Sequence, residues 1–378
     1  MSVRTLSLLG FRSYEQLDLE LGDGPHVVVG RNAAGKTNLV EAIVLLSSGR
    51  SHRSSADQEM VRWGGDFARA AARVERAGRA EELEVVIHAK GAGSGSRKRV
   101  RVNGVNRRAS ALRPVLRTVV FAPEDMLLVV GSPSLRRNLL DALVAQREPT
   151  AASVMSTYQR GLTQRNSLLR RIREEQAQRA ELAYWDEVIL EAGGQILDWR
   201  HETLAALASP LAEAHREIAP EETRLGLRYR SNVEAGPDEG NGAALRRRLR
   251  ETAEKEIWNG ATLVGPHRDD LVFESDGREL TEFASRGQQR TAILALKLAE
   301  LDLLADLDGR PPVLLLDDVF SELDPARRAH LVRRISALPQ AIVTTTTPDD
   351  LDPALVAAST LWHVEPGRVI CDLRETGV

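Results

Sequence analysis

The residues that would grip a phosphate and the carboxylates that would work beside it stand at opposite ends of this chain. Gly30-Arg31-Asn32-Ala33-Ala34-Gly35-Lys36-Thr37 is a complete Walker A loop, and Val313-Leu314-Leu315-Leu316-Asp317-Asp318 has the form of a Walker B strand. Lys36 and Asp317 are 281 residues apart, so a single site must be assembled around a large insertion. Few folds satisfy that demand, and an α/β layout at both ends with other material between is the expected one.

The local context supports the first motif. His26-Val27-Val28-Val29 reads as a compact apolar strand, and from Lys36 the pattern turns helical, with Leu39, Ile43 and Leu46 on one face. Glycines let the loop turn tightly and point several N–H groups inward, and the helix N-terminus adds its dipole, so the loop suits an anionic phosphate. Lys36 contributes a positive charge near the β and γ phosphates, and the Thr37 hydroxyl is the expected Mg²⁺ ligand. Asn38 is a weaker candidate, as a cap or a nucleotide contact.

Val313–Leu316 is fully apolar, as in a buried parallel strand. It delivers its carboxylates at the C-terminal end, where open α/β sheets place ligands. Asp317 is expected to orient Mg²⁺. If the strand continues, Asp318 points the other way and polarises the attacking water. Many related ATPases use glutamate there, and the shorter aspartate implies slow hydrolysis.

Ser285-Arg286-Gly287-Gln288-Gln289-Arg290 precedes an amphipathic run with Ile293, Leu294, Leu296, Leu298 and Leu301. A hydroxyl and a backbone N–H at a helix start make a second anion-binding geometry, although a plain helix cap has the same look. Lying between the two Walker motifs, the segment resembles the signature loop of ABC-type ATPases, which acts on a nucleotide bound to the opposite protomer. Ser321-Glu322-Leu323-Asp324 stands where that class carries its D-loop, and it also reads as a cap before Pro325.

The intervening chain changes character. Residues 66–120 read mostly as strands, with Asn103-Gly104 as a tight hairpin turn and the run at 91–96 as a flexible loop. Residues 134–210 are rich in Ala, Leu, Arg, Glu and Gln and read as helices, one from Ala152 to about Ala180, with breaks near Glu148-Pro149, Gly193-Gly194 and Pro210. A strand is expected at Leu225–Tyr229, a helix from Gly242 to Trp258, and a strand at Leu271–Phe273. The resulting scheme is a head formed by residues 1–133 and 261–378, with a mainly helical insertion at 134–260.

The composition is that of a soluble globular protein: 378 residues, 42% hydrophobic and 28% charged, with a net charge of −3. Binding to nucleic acid would therefore need a local basic surface. The single cysteine, Cys371, can form neither an internal disulfide nor a zinc site alone, and the cytoplasm is the expected location. No stretch approaches the apolar length of a membrane span.

Several segments go beyond general ATPase features. LLGFRSYEQLDLEL, GRSHRSSADQEMVRWG, FAPEDMLLVVGSPSLRRNLLD, LVGPHRDDL and FASRGQQRT, with the motifs above, make the chain resemble the RecF family of bacterial recombination-mediator ATPases, relatives of SMC and Rad50 proteins. The resemblance spans nearly the whole chain. It implies an ABC-type, Rad50/SMC-like head with a helical second domain, ATP with Mg²⁺, and an ATP-dependent homodimer on duplex or junction DNA, associated with the nucleoid. It further implies help in loading RecA onto gapped DNA, together with RecR and RecO, and a weak ATPase that resets the dimer. Carried onto this sequence, Gly30, Arg31, Asn32, Ala33, Ala34, Gly35, Lys36, Thr37 and Asn38 bind nucleotide. Ser285, Gly287 and Gln288 bind it from the other copy. Lys36, Asp317, Asp318 and Ser285 carry catalysis, and Thr37 and Asp317 hold the metal.

Two features depart from the wider ABC pattern. No glutamine stands near Phe121–Met126 for the usual Q-loop, leaving Glu124 or Asp125 for related work, and threonines at 344–346 replace a switch histidine. Candidate DNA surfaces are Arg97-Lys98-Arg99-Arg101 with Arg107-Arg108, then Arg50, His52 and Arg53, Arg136-Arg137, and Arg170-Arg171-Arg173. A solvated face is the plainer reading of any one of them. Two other functions compete: a transporter ATPase subunit, which would need a switch histidine and a membrane partner, and a nucleotide-dependent scaffold with negligible hydrolysis.

Overall fold

Alternating apolar residues make the N-terminal segment a long strand, β1 (Ser2–Phe11), which turns back as β2 (Tyr14–Glu20). The apolar β3 (Gly24–Val29) leads through the glycine loop into α1 (Lys36–Ser48), followed by β4 (Phe67–Arg76), β5 (Arg79–His88), β6 (Lys98–Val102), β7 (Val105–Arg107) and β8 (Thr118–Phe121). The computed structural model describes residues 1–54, 56–89, 98–307 and 309–372, so the expected flexible loop at 91–96 and Arg97 lie outside the described residues. The Asn103-Gly104 turn forms as expected: both residues have positive φ (52° and 74°) and Val102 pairs with Val105 across it.

The next stretch supplies α2 (Leu127–Val130), α3 (Pro133–Arg147), α4 (Ala151–Arg173), α5 (Leu182–Ile218), β9 (Leu225–Arg230), α6 (Asn241–Asn259), β10 (Asp270–Ser275), β11 (Arg278–Glu279) and α7 (Leu280–Phe283). The chain then returns through α8 (Arg286–Asp306), β12 (Val313–Asp317), α9 (Pro325–Ser336), β13 (Gln340–Thr345), α10 (Pro353–Ala358), β14 (Thr360–Glu365) and β15 (Arg368–Asp372). No described helix is long and apolar enough to cross a membrane.

These elements form two compact units. The head comprises Met1–Met126, Glu213–Glu222 and the chain from Ser285 onward, and the inserted unit comprises Leu127–Ala212 and Thr223–Ala284. The insertion thus starts earlier and ends later than the expected 134–260. The strand anticipated at Leu271–Phe273 is β10, which pairs antiparallel with β9 (Leu271 with Tyr229, Phe273 with Leu227) and so belongs to the inserted unit rather than to the head. Sequence composition marks where helices dominate, but a strand joins the unit that holds its pairing partner.

The expected breaks at Gly193-Gly194 and Pro210 also do not occur, because α5 runs unbroken through both for 37 residues. A Cβ on Gly193 would lie 2.8 Å from Leu245 Cδ2 and 3.1 Å from Tyr158, so this glycine serves close helix packing rather than chain termination. Leu207 and Leu211 are buried on either side of Pro210, and their packing offsets the N–H that proline lacks.

Among the described residues the head contains two six-stranded sheets. One is antiparallel, in the order β2-β1-β4-β5-β6-β7; the other, β15-β14-β3-β13-β12-β8, is parallel except at the β14–β15 pair. Helix α1 contributes Leu39, Val40, Ala42, Ile43, Leu45 and Leu46 to a core shared with both sheets. Burying each of the leucine, valine and isoleucine side chains contributes about 1.5–3 kcal/mol.

One buried cluster of the head is ionic. Lys297 of α8 sits 3.2 Å from Asp125 and 3.5 Å from Glu300, and all three charged groups are largely shielded from water. Asp125 also accepts the Ala122 N–H (2.9 Å). It is therefore committed to a structural strap, which leaves Glu124 as the exposed acid of the segment where a Q-loop glutamine would stand. Burial pushes the Glu300 carboxyl up to about 7, against the pull of Lys297. Its folded pKa lies above its unfolded value of 4.5, so the unfolded chain gives up this proton first and stability falls as pH rises from about 4.5 through 7. Glu300→Gln should flatten that fall, gaining on the order of 2 kcal/mol relative to wild type at about pH 8 over about pH 5. Urea midpoints at the two pH values check this, and parallel pH profiles would refute it.

Candidate nucleotide site

The site lies at the C-terminal ends of three adjacent strands of the parallel sheet. Register aligns Asp317 of β12 with Thr344 of β13, and Thr344 with Val28 of β3, so the loop after β3 and the acid after β12 flank the same threonine. This is the sheet end at which α/β folds expose loops and helix N-termini.

The Walker A loop turns through Ala33 (φ 65°) and Gly35 (φ 120°) into α1. Gly30 is packed against β14: a Cβ there would lie 2.5 Å from the Val364 carbonyl oxygen, a backbone atom that cannot swing aside. Tyr14, fully buried, donates its hydroxyl proton to the Gly35 carbonyl (3.0 Å), and the Asn38 amide donates to Ser13 Oγ (2.9 Å). The structure therefore ties the Asn38 amide nitrogen to the β1–β2 turn. Arg12, in that same turn, makes a paired contact with Glu41 in the middle of α1 (2.8 and 2.7 Å). Burial pushes Glu41 up, but Arg12 and Ser51 more than offset it and its carboxyl stays below the usual range.

Lys36 is 6% exposed, and its Nζ donates to the carbonyls of Gly30 (2.6 Å) and Arg31 (3.2 Å). Burial lowers its pKa, while Asp318 and Asp317 act in the opposite direction. Thr37 Oγ1 donates to Asp317 Oδ1 (3.1 Å), and Thr344 Oγ1 donates to the same oxygen (2.7 Å). Nothing in the sequence alone gives the 344–346 threonines a role. The structure gives Thr344 two bonds, because its hydroxyl oxygen also accepts the Asp318 N–H (3.0 Å). Thr345 is buried and donates to the Thr347 carbonyl, while Thr346 is exposed.

The expectation that strand geometry continues through Asp318 fails. β12 ends at Asp317, and Asp318 adopts φ 55°, a left-handed conformation that aspartate tolerates because its short polar side chain bonds locally. The acid is directed by this kink and by Thr344 rather than by strand alternation.

Ser285 caps α8, with its Oγ accepting the Gln288 N–H (3.2 Å) and the Gln288 side chain accepting the Ser285 N–H (2.9 Å). This capping box satisfies two amides that would otherwise lack partners. These bonds stay within one turn, which is exposed at Ser285. At Gly287 beside them, an added Cβ would meet only Ser285 Oγ, at 3.7 Å, so the backbone there is open to an approaching group. Asp324 likewise caps α9, accepting the Arg327 N–H (3.0 Å), while Arg327 also bonds Thr291 of α8 and Arg290 of α8 bonds Glu322. Signature turn and D-loop are thus fastened to each other within the head. The arginines responsible sit at helix-surface positions where nothing in the sequence distinguishes them from solubilising charges.

The basic clusters sort by partner. Arg136 is buried and spent on Asp270 and on the carbonyls of Leu128 and Gly131, and Arg137 donates to the Asp269 carbonyl, so this pair is structural. Lys98 pairs with Asp57 and Arg101 with Glu84. Arg170 and Arg171 are exposed on α4, and Arg173 lies 3.7 Å from Glu174.

Comparison with known proteins shows the family and the fold. The family described as the RecF/RecN/SMC N-terminal domain matches residues 2–365. A protein of Heliobacterium modesticaldum named DNA replication and repair protein RecF is 39% identical over 372 residues, covering 98% of this chain and 99% of its own. A solved structure of the recombination mediator protein RecF-ATP in the RecFOR pathway superposes with a TM-score of 0.87 at 30% identity, over 98% of this chain and 97% of its own. An Smc head bound to a winged-helix domain of ScpA shares the fold, with a TM-score of 0.55 at 15% identity over 98% and 97% of the two chains. With an ABC-type head closed by its two terminal segments, a mainly helical inserted unit and matches over almost its full length, this chain belongs to the RecF family.

Proposed function

We propose that the chain is an ATP-dependent DNA repair and replication protein in which ATP joins two heads on DNA and slow hydrolysis separates them. The observation that carries the reading is the convergence of the Walker A loop, Asp317 and Thr344 at the ends of β3, β12 and β13. Backbone N–H groups of the loop and the N-terminus of α1 hold the phosphates, and Lys36 exchanges its carbonyl partners for phosphate oxygens. Thr37 Oγ1 and Asp317 Oδ1, already neighbours, offer two hard oxygens, which fits Mg²⁺ bound by few protein ligands together with phosphate and water. When bound, the ion neutralises phosphate charge. Thr344 holds Asp317 and the Asp318 backbone in place, and the Asp318 carboxylate takes the proton of the attacking water. Ser285, Gly287 and Gln288 complete the site of a second copy.

In this reading the DNA is a duplex or a junction, the partners are RecR, RecO and RecA, and the ATPase is weak and stimulated by DNA. Sedimentation of the full chain with and without ATP, Mg²⁺ and a gapped duplex tests it. ATP should convert the protein to a dimer and raise its DNA affinity; a protein that ignores DNA at low salt would remove the repair assignment. Thr344→Val keeps the shape of the side chain but leaves Asp317 without one charge-assisted hydrogen bond. It should slow turnover by about tenfold, the equivalent of about 1.5 kcal/mol, in a phosphate-release assay.

A further inference from the structure

Residues 85–123 contain nine lysines and arginines and no aspartate or glutamate, and residues 42–56 contain Arg50, His52 and Arg53, again with no acid. The head brings these two stretches together. Gly49 closes α1 with φ 74°, and a Cβ there would lie 2.6 Å from the Ala109 Cβ and 3.5 Å from Leu112 Cδ1. Arg50 follows Gly49 in the chain and Arg113 follows Leu112.

Arg113 is only partly exposed, and the charge that acts on it is another cation, Arg50. Burial and Arg50 both push its guanidinium down from the usual range. Among the described residues no carboxylate pairs with Arg50, Arg107, Arg108 or Arg113, whereas Lys98, Arg101 and Arg53 each have one. Two guanidiniums that lie within each other's field, one of them partly desolvated and neither neutralised by a carboxylate, cost free energy unless an anion joins them.

We propose that Arg50 and Arg113 form a binding site for phosphodiester groups, continued by the exposed Arg107 and Arg108, and that its ligand is the DNA backbone. The proposal rests on the DNA-binding reading above and gives it a surface. Arg107 and Arg108 are exposed and directly precede Ala109, which packs on Gly49 beside Arg50, and several arginines on one stretch suit a repeating anion better than a single small one. The site is also wired to the nucleotide loop. One residue beyond Arg50, Ser51 Oγ donates to Glu41 of α1, Arg53 lies 3.9 Å from the same carboxylate, and His52 sits in the field of Glu41 and Asp317. A phosphate drawn to Arg50 therefore acts on a loop anchored to the Walker A helix, which gives DNA a short path to ATP turnover.

The test measures anisotropy of a labelled gapped duplex with the full chain at saturating ATP across a salt series. Arg50→Ala, Arg113→Gln and the double variant are compared with Arg171→Ala on α4. Each single change should weaken DNA binding by about threefold to tenfold and reduce the slope of log affinity against log salt by about one, with Arg171→Ala at the wild-type value. Arg50 is exposed, so its variant carries the test if Arg113→Gln fails to fold. Wild-type affinity and slope in Arg50→Ala and in the double variant would overturn the proposal, as would an equal loss in Arg171→Ala. Inorganic phosphate at matched ionic strength should leave the DNA bound; displacement from wild type but not from the double variant would assign the site to a free anion instead. A wild-type chain that fails to bind DNA would instead count against the DNA-binding reading itself.

Discussion

Replacing Lys36 by methionine should slow ATP turnover by about a hundredfold to a thousandfold, and nucleotide affinity should fall with it. The side chain is nearly fully buried, and its ammonium lies over the Gly30 and Arg31 carbonyls within the field of Asp317 and Asp318. Methionine keeps the length of the stem and so keeps the packing. What disappears is the one buried positive charge among two carbonyls and two carboxylates, and a triphosphate entering that environment meets only repulsion from them. Loss of one preorganised charge partner in a water-poor site costs about 3–4 kcal/mol in the transition state, which sets the size of the effect. The unfolding midpoint should not fall, because burial disfavours the charged lysine in the folded protein. Calorimetric titration with ATP, phosphate release and thermal unfolding measured together separate the possibilities. Turnover within a few fold of wild type would mean that the phosphates sit elsewhere.

Ser285→Arg should leave one head able to bind ATP yet abolish the proposed ATP-dependent dimer, weakening association by about a hundredfold or more. Ser285 is exposed at the start of α8 and bonds Gln288 within its own turn, so its replacement breaks none of the bonds that hold Lys36, Thr37 and Asp317 of the same head. Loss of the cap should cost about 1 kcal/mol of local helix stability, well short of unfolding the protein. Across a dimer seam the same arginine would occupy the space intended for a triphosphate and its surrounding amides. Sedimentation velocity with ATP and Mg²⁺ reads the dimer, and the dependence of turnover on protein concentration reads its consequence. A Ser285→Arg protein that still dimerises with ATP would show that this loop does not face the second nucleotide.

Much of this molecule is legible in its sequence because the relevant physics is local. A glycine loop between an apolar strand and a helix, four apolar residues ending in two aspartates, and a serine turn before an amphipathic run each announce themselves within about ten residues, the span over which backbone propensity and hydrophobic period act. The hairpin at Asn103-Gly104 is of the same kind, since both residues readily take the positive φ that the turn needs.

Other features depend on partners far away in the chain. Asp318 departs from strand geometry because Thr344, on the neighbouring strand, accepts its N–H. Asp125 is a buried ion-pair partner because α8 sets Lys297 against it. Gly193 and Pro210 stay inside a helix because packing on its flanks outweighs their local cost. The inserted unit ends after α7 because β10 pairs with β9. The arginines sort into structural and available groups only when their carboxylates are seen.

From the sequence alone came the two phosphate-handling motifs, their order, and the need to close one head from both ends of the chain. Folding decided which threonine steadies the Walker B acid, which charges are spent in ion pairs, and where the second unit begins and ends. The reason is one of range: covalent neighbours fix torsions and periodicity, while hydrogen bonds, ion pairs and burial join residues that the sequence places hundreds of positions apart.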